Sequence, residues 1–189
     1  MKELLKHIKK CTICLNELPL GANPIVAGSK KSKIILISQA PGRIAHNKSI
    51  AWQDASGNKL REWLGVSNAT FYNPNNFAIL PMSFCYPGKA KTGDIPPLKI
   101  CAPTWHQKVL TELERPNLNI LIGKYAQDYY LKDQLNLTQR VRQLEKYLPE
   151  YLPLPHPSPT NRFWKAKNPW FETNMLTIIQ QNIQSVLNE

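Results

Sequence analysis

The chain has 189 residues, of which 42% are hydrophobic and 20% charged, a composition typical of a globular domain with a substantial core. Lysine and arginine outnumber aspartate and glutamate by 24 to 13, and the resulting net charge of +11 favours a polyanionic partner such as DNA or RNA. Neither a membrane span of about eighteen apolar residues nor a secretory signal is recognisable, so we expect one soluble, cytoplasmic, monomeric domain over residues 1–189.

Short apolar runs alternate with helical periodicity along the chain. The runs predict buried strands over 33–38, 77–84, 118–123 and 151–155. The periodic segments predict helices over 56–64, 104–114, 124–132, 138–148 and 169–187. This alternation is typical of an α/β fold with a mainly parallel sheet covered on both faces. The expected core consists of Ile34, Ile35, Leu36, Ile37, Ile79, Leu80, Ile120, Leu121 and Ile122.

The turns after the strands carry most of the polar residues of interest. In a parallel sheet these turns leave the carboxyl ends of the strands and line one edge, where ligands bind. Three basic segments, 28–33, 88–93 and 161–167, are flanked by Gly, Ser or Asn and are predicted to be loops. Basic loops of this kind can follow a phosphate backbone.

Four cysteines are arranged as C-x2-C at Cys11 and Cys14, followed by Cys85 and Cys101. Structural disulfides are uncommon in the cytosol, and a C-x2-C loop can aim two thiolates at one metal. Four thiolates suit either zinc or an iron–sulfur cluster, and the spacing does not choose between them. The alternative is a set of buried free thiols, although Cys85 and Cys101 fall at the ends of predicted elements rather than on apolar faces.

Three motifs occur in a fixed order: C-x2-C with the two later cysteines, "SQAPG" after the first strand, and "HPSPTN" after the last strand. Together they resemble the uracil-DNA glycosylase superfamily, in particular its iron–sulfur branches, families four and five. The resemblance runs from Cys11 to Phe171. It implies a three-layer α/β/α sandwich around a four-stranded parallel sheet, a [4Fe-4S] cluster on the four cysteines, and hydrolysis of the bond between a flipped uracil and its sugar.

The resemblance also implies roles for individual residues. His156 would contact the oxygen of the base on which charge develops, unless it merely caps a proline-rich turn. Asp54, in "WQDASG", matches a catalytic aspartate of family five, although it can equally cap the helix beginning near Ser56. Gln39 stands where family four has a glutamate; its amide can orient water but cannot accept a proton from it.

The base itself would be held by an aromatic ring and by the first turn. Trp52 lies where the iron–sulfur families place a ring that stacks on the base, with ordinary core packing as the alternative. The turn residues Ala40, Pro41 and Gly42 are expected to bind the substrate. Pro81 replaces the asparagine that reads uracil in family four, so either Ser83, Asn47 or a backbone group reads the base instead, or the base specificity differs from that of family four.

The segment after His156 is predicted to bind DNA. Its members are Pro157, Ser158, Pro159, Thr160, Asn161, Arg162, Phe163, Trp164 and Lys165, with Lys167 adding charge. Thr160 stands where some family members carry a leucine wedge, which leaves Arg162, Phe163 or Trp164 to open the duplex. Trp170 and Phe171 are expected to pack the last helix onto the sheet.

The leading hypothesis is a monofunctional DNA glycosylase of base excision repair that removes uracil or a related deaminated base. With no recognisable catalytic lysine, water is the expected nucleophile. Two alternatives stay open: a superfamily member that binds nucleic acid without turnover, and a zinc-stabilised basic domain acting on a small nucleotide.

Overall fold

A computed structural model describes residues 1–114 and 118–189, and its centre is a four-stranded sheet whose strands all run parallel. The strands are β1 (Ile34–Ile37), β2 (Phe77–Ile79), β3 (Leu118–Ile122) and β4 (Tyr151–Leu154), in the order β2-β1-β3-β4. All four predicted strands are therefore confirmed. β4 lies at an edge, where the missing N–H of Pro153 costs least.

The second strand is shorter than the predicted run 77–84. Beyond β2 the chain still follows β1, because Leu80 N–H donates to Leu36 O at 2.9 Å and Met82 N–H donates to Ser38 O at 2.7 Å. This extension brings Pro81 to the carboxyl edge of the sheet, beside the turn that leaves β1.

Both faces of the sheet are covered, as predicted. Ile34 and Leu36 pack into one apolar cluster, and Ile35 and Ile37 pack into another on the opposite face. This alternation follows from the strand period of two. Every residue of the predicted core is buried in one of these two clusters.

Helices supply the remaining layers of this α/β fold. Their bounds are α1 (Lys2–Lys9), α2 (Arg43–Lys48), α3 (Ala55–Leu64), α4 (Asn68–Tyr72), α5 (Gln107–Leu110), α6 (Lys124–Tyr130), α7 (Leu137–Arg142), α8 (Arg162–Lys167) and α9 (Leu176–Asn188). α3 and α9 cover the face that includes Ile34, whereas α1, α5 and α6 cover the other. No helix in the described ranges is both long and apolar enough to cross a membrane.

The helix predicted over 104–114 differs in detail from the structure. It begins with a wide π turn over Ala102–His106, continues as α5, and ends as a turn near Thr111. The last helix likewise begins with a π turn, over Phe171–Met175, before α9. The segment predicted over 138–148 is divided into α7 and a 3-10 turn over Leu144–Tyr147.

Two segments for which no helix was predicted are helical. Residues 43–48 form α2, and residues 162–167, within the predicted loop 161–167, form α8. Each helix has only six residues and no long apolar periodicity to announce it. Tertiary contacts stabilise them: Ala45 is buried in α2, and Trp164 packs from α8 against the core.

Candidate active site

A cleft of roughly 810 Å³ opens at the carboxyl edge of the sheet. The turn after β1, the start of α3, the start of α6 and the loop after β4 all contribute to its wall. Several predicted residues therefore meet here, namely Gln39, Ala40, Pro41, Gly42, Trp52, Asp54, His156, Ser158, Thr160 and Asn161. The convergence follows from four parallel strands that deliver their turns to one edge.

The first wall of the cleft is the turn from Ser38 to Gly42, which connects β1 to α2. Ser83 N–H donates to Gln39 O at 3.1 Å, so the backbone of this turn is tied to the segment after β2. α2 begins directly after Gly42. The turn thus joins two ordered elements, and its residues face the cleft in a fixed conformation.

Trp52 is both a core residue and a cleft residue. It is only 8% exposed and packs in the core, yet its ring lies 6.0 Å from that of His156, measured between centroids, with 32° between the planes. Its backbone adopts φ +62°, a left-handed conformation that is costly for a large side chain. Arg61 Nη1 stabilises this conformation by donating to Trp52 O at 3.1 Å.

Asp54 caps α3, as the alternative interpretation predicted, and also faces the cleft. Its Oδ1 accepts a hydrogen bond from Gly57 N–H at 2.9 Å, and α3 begins at the next residue, Ala55. This bond fixes the carboxylate close enough to His156 for its charge to raise the pKa of that imidazole. The two roles are compatible because the cap orients the carboxylate toward the cleft.

His156 follows β4 and lines the cleft. Its Nδ1 accepts a hydrogen bond from Ser158 N–H at 3.2 Å, so the neutral ring carries its proton on Nε2. Burial lowers the pKa of His156, and the charge of Asp54 opposes this shift only in part. The imidazole is therefore neutral near pH 7 and keeps one N–H for a ligand.

The loop after His156 is ordered by its own side chains. Asn161 Nδ2 donates to His156 O at 3.0 Å, and the Ser158 hydroxyl accepts from Thr160 N–H at 3.2 Å at the start of a 3-10 turn over Pro159–Asn161. Pro157 is buried. The loop therefore presents Ser158, Thr160 and Asn161 to the cleft from a rigid base.

The two aromatic residues of α8 have opposite environments. Trp164 packs inward, where its Nε1 donates to Thr138 Oγ1 at 2.8 Å and its ring contacts those of Trp170 and Phe171. Phe163 is 69% exposed, with the Arg162 guanidinium 5.0 Å from its ring centroid. Phe171 is fully buried and Trp170 packs against the same core, as predicted for the last helix.

Residues 25–180 match the family model described as the Uracil DNA glycosylase superfamily. This range includes the sheet and every residue of the cleft wall named above. The chain belongs to the uracil DNA glycosylase superfamily. Membership gives it a glycosylase-like function at the level of the family, with DNA as the partner.

Two of the candidates for reading the base in this superfamily member lie outside the cleft wall. Ser83 is fully buried, and its hydroxyl donates to Cys85 O at 3.2 Å. Asn47 is exposed on α2 and, among the described residues, is not part of the wall. Pro81 does line the cleft, but it has no N–H and its carbonyl oxygen lies 3.0 Å from His106 Nε2.

A buried histidine supports Pro81 from behind. His106 Nε2 lies 3.0 Å from Pro81 O, and His106 Nδ1 lies 2.7 Å from the hydroxyl of Tyr130. Because the carbonyl can only accept, Nε2 carries the proton and Nδ1 accepts from the tyrosine. Burial lowers the pKa of His106 to about 4, so this arrangement is neutral at pH 7.

Among the charged and aromatic residues of the glycosylase cleft, sequence reasoning did not assign Tyr125, Lys89, Lys91 and Asp94 to the site. Tyr125 is the second residue of α6, in the turn region that follows β3, so its position after a strand end was a usable signal. The other three belong to a hairpin after β2. The basic segment 88–93 was noted, but nothing in its pattern indicated that it reaches the cleft.

The four cysteines of this superfamily member are free and line one small apolar cavity with Leu18, Pro24, Phe84 and Leu98. Cys101 directly precedes the π turn, as predicted for an element end. Burial raises the pKa of the Cys14 and Cys101 thiols and that of Cys85 to about 11. Four thiols around one dry cavity are a donor set that suits a thiolate-bound metal group.

The cysteines surround this cavity without meeting at one point. Within residues 1–114 and 118–189, no three His, Cys, Asp or Glu side chains are grouped to hold a single metal ion. A tetrahedral zinc site would draw four sulfurs to about 3.8 Å from one another, given Zn–S bonds of about 2.3 Å. The matched range begins after Cys11 and Cys14, so the family match does not bear on this group.

Proposed function

We propose that the protein is a monofunctional DNA glycosylase that hydrolyses the N-glycosidic bond of uracil, or of a related deaminated base, in DNA. The observation that carries the proposal is the neutral His156, with Nδ1 occupied by Ser158 N–H and Nε2–H left for a ligand in the cleft. A leaving base carries negative charge on its oxygens. A fixed, uncharged donor beside that oxygen stabilises the charge as it develops.

The remaining cleft residues supply the other steps. The base leaves its stack, enters the cleft and lies against the ring of Trp52. Asp54 faces the same space and stabilises positive charge on the sugar or accepts a proton from the attacking water, while the Gln39 amide orients that water. The water oxygen bonds to C1′, and the base departs with the electron pair of the glycosidic bond.

Base release from synthetic oligonucleotides tests this function. Single-stranded and duplex DNA carrying uracil, hypoxanthine or xanthine is incubated with the protein and then treated with alkali, which cleaves abasic sites. We expect release of uracil, and a rate lowered about 10²- to 10³-fold in His156→Ala. Intact protein that binds DNA but releases none of these bases would contradict the enzymatic proposal.

The monofunctional mechanism has its own test, because Lys89 and Lys91 line the cleft. A lysine that attacked C1′ would form a Schiff base with the sugar, and borohydride would trap it as a covalent protein–DNA adduct. We expect base release without a trapped adduct and without strand cleavage before alkali. An adduct on either lysine would contradict the hydrolytic mechanism.

A nonenzymatic DNA-binding protein is the second candidate, and Gln39 and Pro81 favour it. Gln39 replaces the proton-accepting glutamate of family four, and Pro81 replaces the asparagine whose side-chain amide reads the base. Gln39→Glu distinguishes the two functions. Increased release with unchanged DNA affinity supports an enzyme with a weakened water-handling group, whereas affinity without any release in either form supports the binding protein.

We also propose that Cys11, Cys14, Cys85 and Cys101 hold a [4Fe-4S] cluster. Each thiolate of such a cluster binds a different iron, so the sulfurs stay further apart than around one zinc ion. The cavity that the four cysteines share supports a thiolate-bound group at this place. The group would tie the N-terminal C-x2-C to the segment that carries Pro81, as a structural support.

Metal analysis distinguishes a [4Fe-4S] cluster from a zinc ion at these cysteines. Protein purified without oxygen should be brown, with broad visible absorption and about four irons and four sulfides per chain. Cys14→Ser and Cys101→Ser should each lose that absorption. A colourless protein with one zinc per chain would overturn the cluster.

A further inference from the structure

We propose that the hairpin formed by residues 86–95 is a second DNA-binding arm, in which Lys89 and Lys91 contact phosphates beside the extruded nucleotide. This inference rests on the proposed function and deepens it. The 86–95 hairpin contributes Lys89, Lys91, Gly93 and Asp94 to the cleft that also contains His156.

The sheet order places this hairpin opposite the loop after β4. The 86–95 hairpin follows β2, at one edge of the sheet, and the 156–161 loop follows β4, at the other edge. Three strand spacings separate the two edges, a distance of about 14 Å. That distance corresponds to about four nucleotide steps of one strand, measured along the axis of B-DNA at about 3.4 Å per step. The two arms can therefore bind the backbone on either side of one extruded nucleotide.

The 86–95 hairpin is ordered by its own backbone. Ala90 N–H donates to Gly93 O and Ile95 N–H donates to Gly88 O, each at 3.0 Å. Gly88 adopts φ +110°, and a β-carbon there would lie 3.1 Å from both Pro19 and Ile95. The turn that carries Lys91 is consequently fixed in position rather than free to swing away from the cleft.

The charges of the 86–95 hairpin favour an anionic partner. Within the part of the chain that the structure describes, the ion pairs do not include Lys89 or Lys91, and both side chains are exposed. The backbones of Lys89 and Asp94 form an antiparallel bridge across the hairpin, and Asp94 also lines the cleft. The hairpin therefore presents two lysines and one carboxylate, and the carboxylate opposes phosphate binding.

A second basic loop provides the contrast. Residues 28–33 lead into the amino end of β1. The amino ends of the strands lie opposite their carboxyl ends, where the cleft opens. Lys30 lies 3.9 Å from Glu112, and Lys33 Nζ donates to Leu187 O at 2.7 Å. Lys30 and Lys31 are exposed and equal in charge to the hairpin pair, so their double variant is a matched control.

The test is the salt dependence of binding to oligonucleotides that carry a stable abasic-site analogue, measured by fluorescence anisotropy. Each phosphate contact contributes a slope of about 0.9 in the log–log plot for duplex DNA and about 0.7 for single strands. The double variant Lys89→Gln with Lys91→Gln should therefore lower the slope by about 1.8 on duplex DNA and by about 1.4 on single-stranded DNA. Lys30→Gln with Lys31→Gln should leave it unchanged, and Asp94→Asn should tighten binding.

A hairpin variant with the wild-type slope would overturn the proposal, as would an equal loss in the control pair. Base release under saturating protein is measured in parallel on the same variants. If wild-type protein releases no base, the proposed function fails, but the slope still decides whether the 86–95 hairpin binds phosphates. If wild-type protein releases base but the hairpin variant keeps the wild-type salt slope, the proposed function stands and only the DNA-binding role of the hairpin is wrong.

Discussion

The α-carbon of Gly57 packs directly against the carbonyl of Trp52: a β-carbon at Gly57 would lie 1.7 Å from Trp52 O and 2.5 Å from its carbonyl carbon. The same glycine donates its N–H to Asp54. One residue without a side chain therefore positions both the ring and the carboxylate of the cleft.

Gly57→Ala should displace Trp52 and with it the cleft wall. The methyl group meets backbone atoms that cannot rotate away, so we expect a loss of about 1–3 kcal/mol in the free energy of unfolding. Displacement of the wall by about 1 Å should lower single-turnover base release about 10²-fold. Denaturant unfolding and single-turnover kinetics measure the two effects. Gln53→Ala, an exposed change between Trp52 and Asp54, is the control and should alter neither.

The pH dependence of base release should report His156. Burial lowers the pKa of this imidazole, so its neutral form persists below the ordinary value of about 6.5. The rate should stay level from pH 8 to about pH 6.5 and fall only at lower pH. Because the Asp54 charge raises the pKa of His156, Asp54→Asn should reduce the plateau and also move the acid limb to lower pH. An acid limb that moves to higher pH in this variant would contradict the assignment.

His106 should act as a positioning residue for Pro81. His106→Leu leaves Pro81 O buried without its donor, which should lower the free energy of unfolding by about 1–3 kcal/mol and weaken substrate binding. His106→Gln keeps an N–H near the Nε2 position and should restore most of the wild-type KM. Tyr130→Phe removes only the hydroxyl at Nδ1 and should change KM less than His106→Leu. If all three variants had the wild-type KM, His106 would have no positioning role in the cleft.

An ion-pair network between α6 and α7 should govern acid stability. Arg140 is 3% exposed and pairs with Asp128 at 2.6 Å and with Asp133 at 2.9 Å. Burial alone would raise the pKa of Asp128, but hydrogen bonds from Lys124 and Arg140 outweigh it, and the net direction is down. Burial likewise opposes a net lowering of the Asp133 pKa, to which the Tyr147 hydroxyl and Arg140 contribute.

Carboxyls with lowered pKa values stabilise the fold above their unfolded pKa of about 4, and this contribution disappears as the pH falls through their folded values. Arg140→Met should lower the free energy of unfolding at pH 7 by about 3 kcal/mol, near the lower end for a broken buried pair because Asp128 is 42% exposed. It should also flatten the acid dependence of stability below pH 4. Denaturant titrations between pH 3 and pH 7 give both quantities, with Lys132→Met as a control outside the network.

Local pattern was sufficient to predict the sheet and the region of the site. Runs such as "IILI" in β1 are apolar on both faces, which is the pattern of a strand buried in a parallel sheet. Since parallel strands deliver their turns to one edge, the strand pattern predicts that Gln39 and His156 share one site, whereas Asp54 was assigned to it from the resemblance to family five. The C-x2-C motif and the two later cysteines predicted four thiols in one place, and all four line one cavity.

Other features depended on contacts between distant parts of the chain. Consecutive helical residues point about 100° apart, so whether Phe163 or Trp164 faces solvent depends on the rotation of α8 against the core. The order β2-β1-β3-β4 is set by non-local pairing, and it is this order that places Lys89 and Lys91 opposite Ser158. Lys30 and Lys31 precede β1, so they lie at the amino ends of the parallel strands, away from the cleft. Sequence therefore identified the residues that we propose carry the chemistry, and tertiary packing decided which of the basic segments face the cleft.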